Sequence, residues 1–310
     1  DTLGTLDSAN APVWGQTYAT QAPSAVSVTG NRYVFASVPS VTVTANSLSK
    51  TYGAVVTGSS VVGLSSTAGS SSVYTLPTFT DVFSALPTAA SSGFAATASV
   101  NGGTPYAMTI TPGTARSGYS VTYATPGTIT VNTKTLTVNA GTTTVADKVY
   151  DGTTTATLSG GTLNGVINGD TVTLVQAGSF TSANVFLVSN VPAAVSVTAA
   201  DAITGPQAGN YTLTQPTGLS AIIRPKALTM SGLAANDKVY NGTVTAVVTG
   251  TAALTGSEAA GTGTNIDGKW YVGDTVSITG PPGLAAYGTF NSKNVAEANN
   301  VTFSGLSLTG

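Results

Sequence analysis

The chain has 310 residues, of which only 7% are charged and 41% hydrophobic, with 10 basic against 12 acidic side chains and neither His nor Cys. That charge content lies far below the roughly 25% of an average soluble protein, and a net charge of −2 argues against nucleic acid, whose phosphates need clustered Lys and Arg. The missing Cys excludes disulfides and thiolate chemistry, and the missing His removes the commonest general base and metal ligand.

From the N-terminus, Asp1-Thr2-Leu3-Gly4 has neither the basic nor the apolar region of a signal peptide, so the sequence reads as processed or as a fragment. No apolar run approaches the roughly 18 residues of a membrane span, and membrane insertion is not expected. Residues 1–44 read as the tail of a preceding module or as a linking segment. They contain Trp14 and Tyr18, which suit either stacking on a ligand or folding onto their own module. Val41-Thr42-Val43-Thr44 then alternates with period two, as a half-buried strand does. Phe79, Val82, Phe83 and Leu86 fall at i, i+3, i+4 and i+7 behind Thr78 and Asp81, with Pro87 following. This spacing, with its capping box and stop, predicts one short helix over 79–86. Thr128-Ile129-Thr130-Val131 and Thr171-Val172-Thr173-Leu174-Val175 alternate again. Asp151-Gly152 and Asn168-Gly169-Asp170 between such runs are turn signals, because Gly accepts positive φ and Asn or Asp tolerates it. The expected fold class is all-β, with tandem antiparallel β-sandwich or β-grasp-like modules.

The repeats set the module length. Asp147-Lys148-Val149-Tyr150-Asp151-Gly152-Thr153 returns 90 residues later as Asp237-Lys238-Val239-Tyr240-Asn241-Gly242-Thr243. Gly169-Asp170-Thr171-Val172 returns 104 residues later as Gly273-Asp274-Thr275-Val276, which places an insertion within Thr255 to Trp270 of the later copy. Closing strands of a Gly-then-Tyr type occur at Gly30-Asn31-Arg32-Tyr33-Val34-Phe35, at Gly118-Tyr119 and at Gly209-Asn210-Tyr211. Joints are therefore expected near 44, 133 and 225, giving modules over 45–133, 134–225 and 226–310. The last of these stops at Leu308-Thr309-Gly310, the counterpart of Ile203-Thr204-Gly205, and so lacks its closing strand. An open edge there would be a template for strand addition, including head-to-tail completion into a filament; two ends cut from a longer array would look the same.

The run Lys148-Val149-Tyr150-Asp151-Gly152-Thr153 resembles the signature of YDG modules, with Asn241 replacing the Asp in the second copy. Ala45-Asn46-Ser47-Leu48-Ser49-Lys50-Thr51-Tyr52-Gly53 is similar to the opening of MBG modules of the Tyr-Gly type. The resemblance implies a tandem segment of a large secreted bacterial protein, of the filamentous-haemagglutinin-like kind exported by two-partner secretion. It also implies a location outside the cell or on its outer surface. Avoidance of Cys suits export, since a premature disulfide would obstruct threading through a pore.

Candidate sites follow from the residues. Asp147, Lys148 and Tyr150 could make a small polar site, and Lys beside Asp or Asn could form an isopeptide crosslink. The structural reading has Tyr150 and Tyr240 in equivalent, largely buried positions, Gly152 and Gly242 in the turn that follows, and Asp170 and Asp274 as a second recurring motif. Glu258, Asp267 and Asp274 could meet as a calcium site, but such a site needs six to eight oxygens, and solvated loop acids are the expected reading. Lys269, Trp270 and Tyr271 are the candidate ligand contacts, since exposed aromatic rings stack on sugars and form protein hot spots; the alternative is a Trp folded down onto its own module. No catalytic residue, cofactor or metal is expected, and the chain is not expected to be an enzyme. The expected function is a structural and adhesive stalk in cell adhesion or biofilm matrix. The alternatives are a filament subunit or a glycan-binding module. Its partners would be other modules of the same protein, copies of itself, or extracellular polysaccharide.

Overall fold

The computed structural model describes residues 13–25, 34–66, 78–281 and 286–310; the Gly30–Tyr33 part of the first Gly-then-Tyr strand lies outside them. Strand accounts for 43% and helix for 5%, an all-β fold built from tandem domains. Among the described residues, no helix is long and apolar enough to cross a membrane. Packing divides the chain into two compact units whose borders are not those of the sequence repeats. One contains residues 1–136 together with 165–173 and 203–214, and the other contains 137–164, 174–202 and 215–310.

In the first unit, Ser40–Ala45 buries Val41, Val43 and Ala45 on one face and leaves its hydroxyl-bearing residues half-exposed on the other, as its alternation requires. It pairs antiparallel with Val62–Ser66 and parallel with Ser120–Tyr123. After Asn46-Ser47, Leu48–Thr51 enters a second sheet, parallel to Thr128–Asn132. Two small cores result: Val41, Val43, Val82 and Phe83 in one, and Ala45, Ala89, Phe94, Met108 and Ile129 in the other.

The short helix starts where the spacing places it but lasts one turn, Phe79–Val82. Asp81 reaches back to the Thr78 N–H and hydroxyl, each at 2.7 Å. The expected continuation to Leu86 is corrected. Phe83–Ala85 is a strand paired with Thr114–Ala115, Phe83 is buried in the core, and Leu86 is exposed. Sheet pairing and burial of the β-favouring Phe83 outweigh the weak helical preference of a single turn.

The second unit is organised by a five-stranded sheet in the order Lys148–Val149, Leu219–Arg224, Ala194–Ala199, Gly178–Phe180, Thr155–Ala156. Its buried face carries Phe180, Val195, Val197, Leu219, Ala221 and Ile223. The first pair is parallel and the rest are antiparallel, so the sheets are mixed rather than purely antiparallel. In the later repeat, Thr245–Ala246, Tyr287–Phe290 and Val301–Ser304 form a three-stranded sheet.

The parallel pairs position the motif tyrosines. Tyr52 follows Leu48–Thr51 and donates its backbone N–H to the Asn132 carbonyl at 2.8 Å. Tyr150 follows Lys148–Val149 and donates to the Arg224 carbonyl at 2.8 Å. Because each tyrosine's strand runs parallel to its repeat's last strand, the tyrosine sits where the chain leaves for the next repeat.

Candidate joint site

The motif Lys-x-Tyr-Asp-Gly-Thr makes a closed local structure. Lys148 Nζ donates to Asp151 Oδ1 (2.7 Å), Thr153 O (2.7 Å), Thr153 Oγ1 (3.2 Å) and Thr155 O (3.2 Å). Asp151 Oδ1 in turn accepts from the Thr153 N–H at 2.8 Å. Burial alone would raise the Asp151 carboxyl, but Lys148 and Thr153 outweigh it and hold it below the usual carboxylate range. The later copy is the same atom for atom: Lys238 Nζ reaches Asn241 Oδ1 (3.0 Å), Thr243 O (2.6 Å), Thr243 Oγ1 (3.0 Å) and Thr245 O (3.0 Å). Each ammonium also lies 5.5 Å from a phenyl ring, Phe180 or Phe290. Asp147 takes no part and instead pairs with Arg224 at 2.9 Å.

The tyrosines point away from this staple, toward the following repeat. Tyr52 donates its hydroxyl to Asp170 Oδ1 at 3.1 Å, and Tyr211 donates to Asp170 Oδ2 while accepting from the Ile167 N–H at 3.0 Å. The Tyr52 and Tyr211 rings meet edge-on, with centroids 5.4 Å apart. At the next joint, Tyr150 donates to Asp274 Oδ1 at 2.6 Å and meets Tyr271 edge-on at 5.7 Å. The Tyr of one repeat thus clasps the Gly-Asp turn of the repeat after it, twice. Burial and the facing carboxylate push the Tyr150 hydroxyl up to about 12, and the same two causes push Tyr211 up to about 12.

The glycine after each tyrosine makes room for this approach. A Cβ on Gly53 would lie 2.3 Å from Ile167 Cδ1, and one on Gly152 would lie 2.8 Å from Ala260 Cβ. Gly152 and Gly242 both have positive φ, 72° and 76°, as the Asp-Gly and Asn-Gly turn signals require.

The expectation that Tyr150 and Tyr240 are equivalently buried is corrected. Tyr52 is 4% exposed and Tyr150 half-buried, whereas Tyr240 is 60% exposed. The intact staple around Lys238 means that the difference does not come from the motif itself; among the described residues, no Gly-Asp turn packs on Tyr240.

Two acids of the insertion, expected as solvated loop residues, are instead paired. Glu258 and Asp267 do meet, but around Lys226 Nζ, at 2.5 and 3.0 Å, while Asp274 is on Tyr150. The Lys226 side chain is 2% exposed and lies 4.2 Å from the Tyr271 ring centroid. Burial opposes its charge, but Glu258, Asp267 and Tyr271 outweigh this and hold it well above the usual ammonium range. Asp267 is held well below the carboxylate range by the Thr264 and Lys269 N–H groups and by Lys226. Among the described residues, no group of three or more acidic side chains is placed to hold a metal ion. Tyr271 is buried, which corrects its assignment to a ligand platform. Lys269 is exposed, and half-buried Trp270 lines an open cleft of about 790 Å³ with Leu187, Val276 and Leu308. Trp14 stacks on Phe35 at 4.5 Å, and Tyr18 is exposed. Sequence reasoning missed Tyr52, Tyr211 and Lys226 as site residues. For Tyr52 the signal was the recurrence of two motifs, Tyr-Gly or Tyr-x-Gly and Gly-Asp; Tyr211 was visible only as a closing strand, and Lys226 had none.

A family model described as the YDG domain matches residues 132–218 and 224–310, more than half of the chain. No curated protein and no solved structure matches it.

Proposed function

We propose that this chain, which belongs to the YDG domain family, is a structural segment of a secreted bacterial surface protein, a stalk in cell adhesion or biofilm matrix. The supporting observation is the clasp repeated at successive joints, Tyr52 on Asp170 and Tyr150 on Asp274. In both clasps a tyrosine hydroxyl of one repeat is bonded to a carboxylate of the next. A hydroxyl-to-carboxylate bond is among the stronger hydrogen bonds, and here it is placed where tension along the chain would pass. On this reading residues 45–133 are an MBG-like module, and the parent protein is an adhesin of the filamentous-haemagglutinin-like kind that uses two-partner secretion. Single-molecule pulling of the full chain from its two ends tests the proposal. Discrete force peaks are expected, with the peak for the second unit lowered by Tyr150→Phe. Extension without resolved peaks would count against a mechanical role.

A second reading, glycan binding, is favoured by one observation: Trp270 lines the open cleft. A glycan panel decides it. Binding abolished by Trp270→Ala would move the function from stalk to recognition.

A further inference from the structure

We propose that the surface around Tyr240 and Gly242 is an open socket that receives the Gly-Asp turn of a further YDG-type repeat. The inference rests on reading the two occupied clasps as joints between repeats, and it identifies the partner for a third.

The socket is already built. Its Lys238 staple has the contacts of the Lys148 staple, so the turn that carries Tyr240 is fixed without a partner. Val239 is 89% exposed and Tyr240 60%, a pair of large apolar groups left in water. Among the described residues, nothing accepts from the Tyr240 hydroxyl. Among the described residues, no atom beyond its chain neighbours lies within 4 Å of where a Gly242 Cβ would be, whereas Ala260 fills that space at Gly152 and Ile167 at Gly53. The open site thus matches the occupied joints in two respects, a phenol donor and a glycine with room above it.

The occupant must supply a carboxylate on a tight turn, flanked by an apolar residue to lie over the glycine. The Gly-Asp turns do this, with Ile167 ahead of Asp170 and Tyr271 ahead of Asp274. A second copy of this chain does not fit, because Asp170 is held by Tyr52 and Tyr211, and Asp274 by Tyr150. The occupant is therefore a repeat whose Gly-Asp turn is not yet engaged.

The test joins residues 206–310 in duplicate after Gly310. Gly310 aligns with Gly205, so this arrangement reproduces the Tyr150–Asp274 joint around Tyr240. In the original chain Tyr240→Phe is expected to be silent. In the lengthened chain it should lower the unfolding midpoint as much as Tyr150→Phe does, as should Asn in place of the added Asp274 counterpart. The two changes together should cost no more than one, the mark of a direct contact. Loss at Tyr150 with none at Tyr240 in the lengthened chain overturns the inference and leaves the joint reading intact; loss at neither overturns both. Nitration gives a readout independent of stability. Tyr240 should react in the original chain and be protected in the lengthened one, whose added Tyr240 counterpart is changed to Phe to keep the peptide unambiguous. Equal reactivity in both, or a Tyr240-dependent dimer of the original chain, overturns the proposal.

Discussion

Residues 147–153 and 237–243 differ at the name position, Asp151 against Asn241, and fold into the same lysine-centred turn, yet one tyrosine is packed and the other stands in water. The difference extends into the sheets behind them. Tyr150 belongs to a repeat with a five-stranded sheet and nine residues in its buried core. Tyr240 belongs to one whose comparable sheet has, among the described residues, three strands, with Ala246 buried and Phe290 and Phe303 only partly covered. The turn is a local property, secured by four hydrogen bonds within eight residues. The environment of the tyrosine is not local: Tyr150 is covered by residues more than 100 positions later in the chain, around Asp274.

The sharpest way to break this comparison is in the cores. Phe180 is almost fully buried and Phe290 is not. Phe180→Ala should cost about 3–5 kcal/mol, as for large core aromatics, and Phe290→Ala roughly half, because less area leaves water. Equal costs in urea unfolding would show that the later repeat is as well packed as the earlier one.

Next in size are the tyrosines. Tyr150→Phe removes a hydrogen bond to a carboxylate and should cost about 1.5–3 kcal/mol. Tyr240→Phe should stay within about 0.5 kcal/mol, like most surface changes. The alkaline limb carries the same distinction. A phenol whose pKa is raised on folding contributes stability that is complete below its unfolded value near 10. For Tyr150, pushed up to about 12, stability should therefore fall as pH rises from about 10 toward 12, because the unfolded phenol ionises first. That part of the slope should vanish in Tyr150→Phe and persist in Tyr240→Phe, as followed by urea midpoints across this range. The glycines give a smaller contrast. Both have positive φ, so Ala is strained at either by about 1 kcal/mol. Gly152→Ala must also displace Ala260, and its midpoint should fall further than that of Gly242→Ala.

Much of this was legible in the sequence. The period-two runs and Gly turns indicated strands, and the 90-residue return indicated tandem repeats. Both motifs that form the joint, Tyr150-Asp151-Gly152 and Gly169-Asp170, were visible as recurring features. What could not be read was that they touch. Tyr52 and Asp170 are 118 residues apart, and each motif alone looks like an ordinary turn. The pairing rests on parallel strands, Leu48–Thr51 with Thr128–Asn132 and Lys148–Val149 with Leu219–Arg224, which carry the tyrosine to the exit of its repeat. Alternation reveals which face of a strand is buried, not which neighbour it has or in which direction that neighbour runs. Likewise Glu258 and Asp267 suggested a cation but not that the cation is Lys226, some 30–40 residues earlier in the chain.

The smallest effect tests the claim that the turn is local. Asp151→Asn gives the earlier repeat the later repeat's motif. Lys238 already shows that an amide oxygen serves, at 3.0 Å against 2.7 Å for the carboxylate. The Asp151 side chain is 38% exposed, so water screens the pair, and the cost at pH 7 should stay below about 1 kcal/mol. The pH dependence is more discriminating than the magnitude. The Asp151 carboxyl is held below its ordinary range, so its contribution is present above the unfolded pKa near 4 and is lost as pH falls through the folded value. Asn cannot titrate, so the variant should be less stable than the parent at neutral pH and converge with it at low pH. Urea midpoints at pH 7, 4 and 2.5 measure this. A gap that stays constant on acidification would mean that the carboxylate's charge contributes nothing and that the two motifs differ in packing alone.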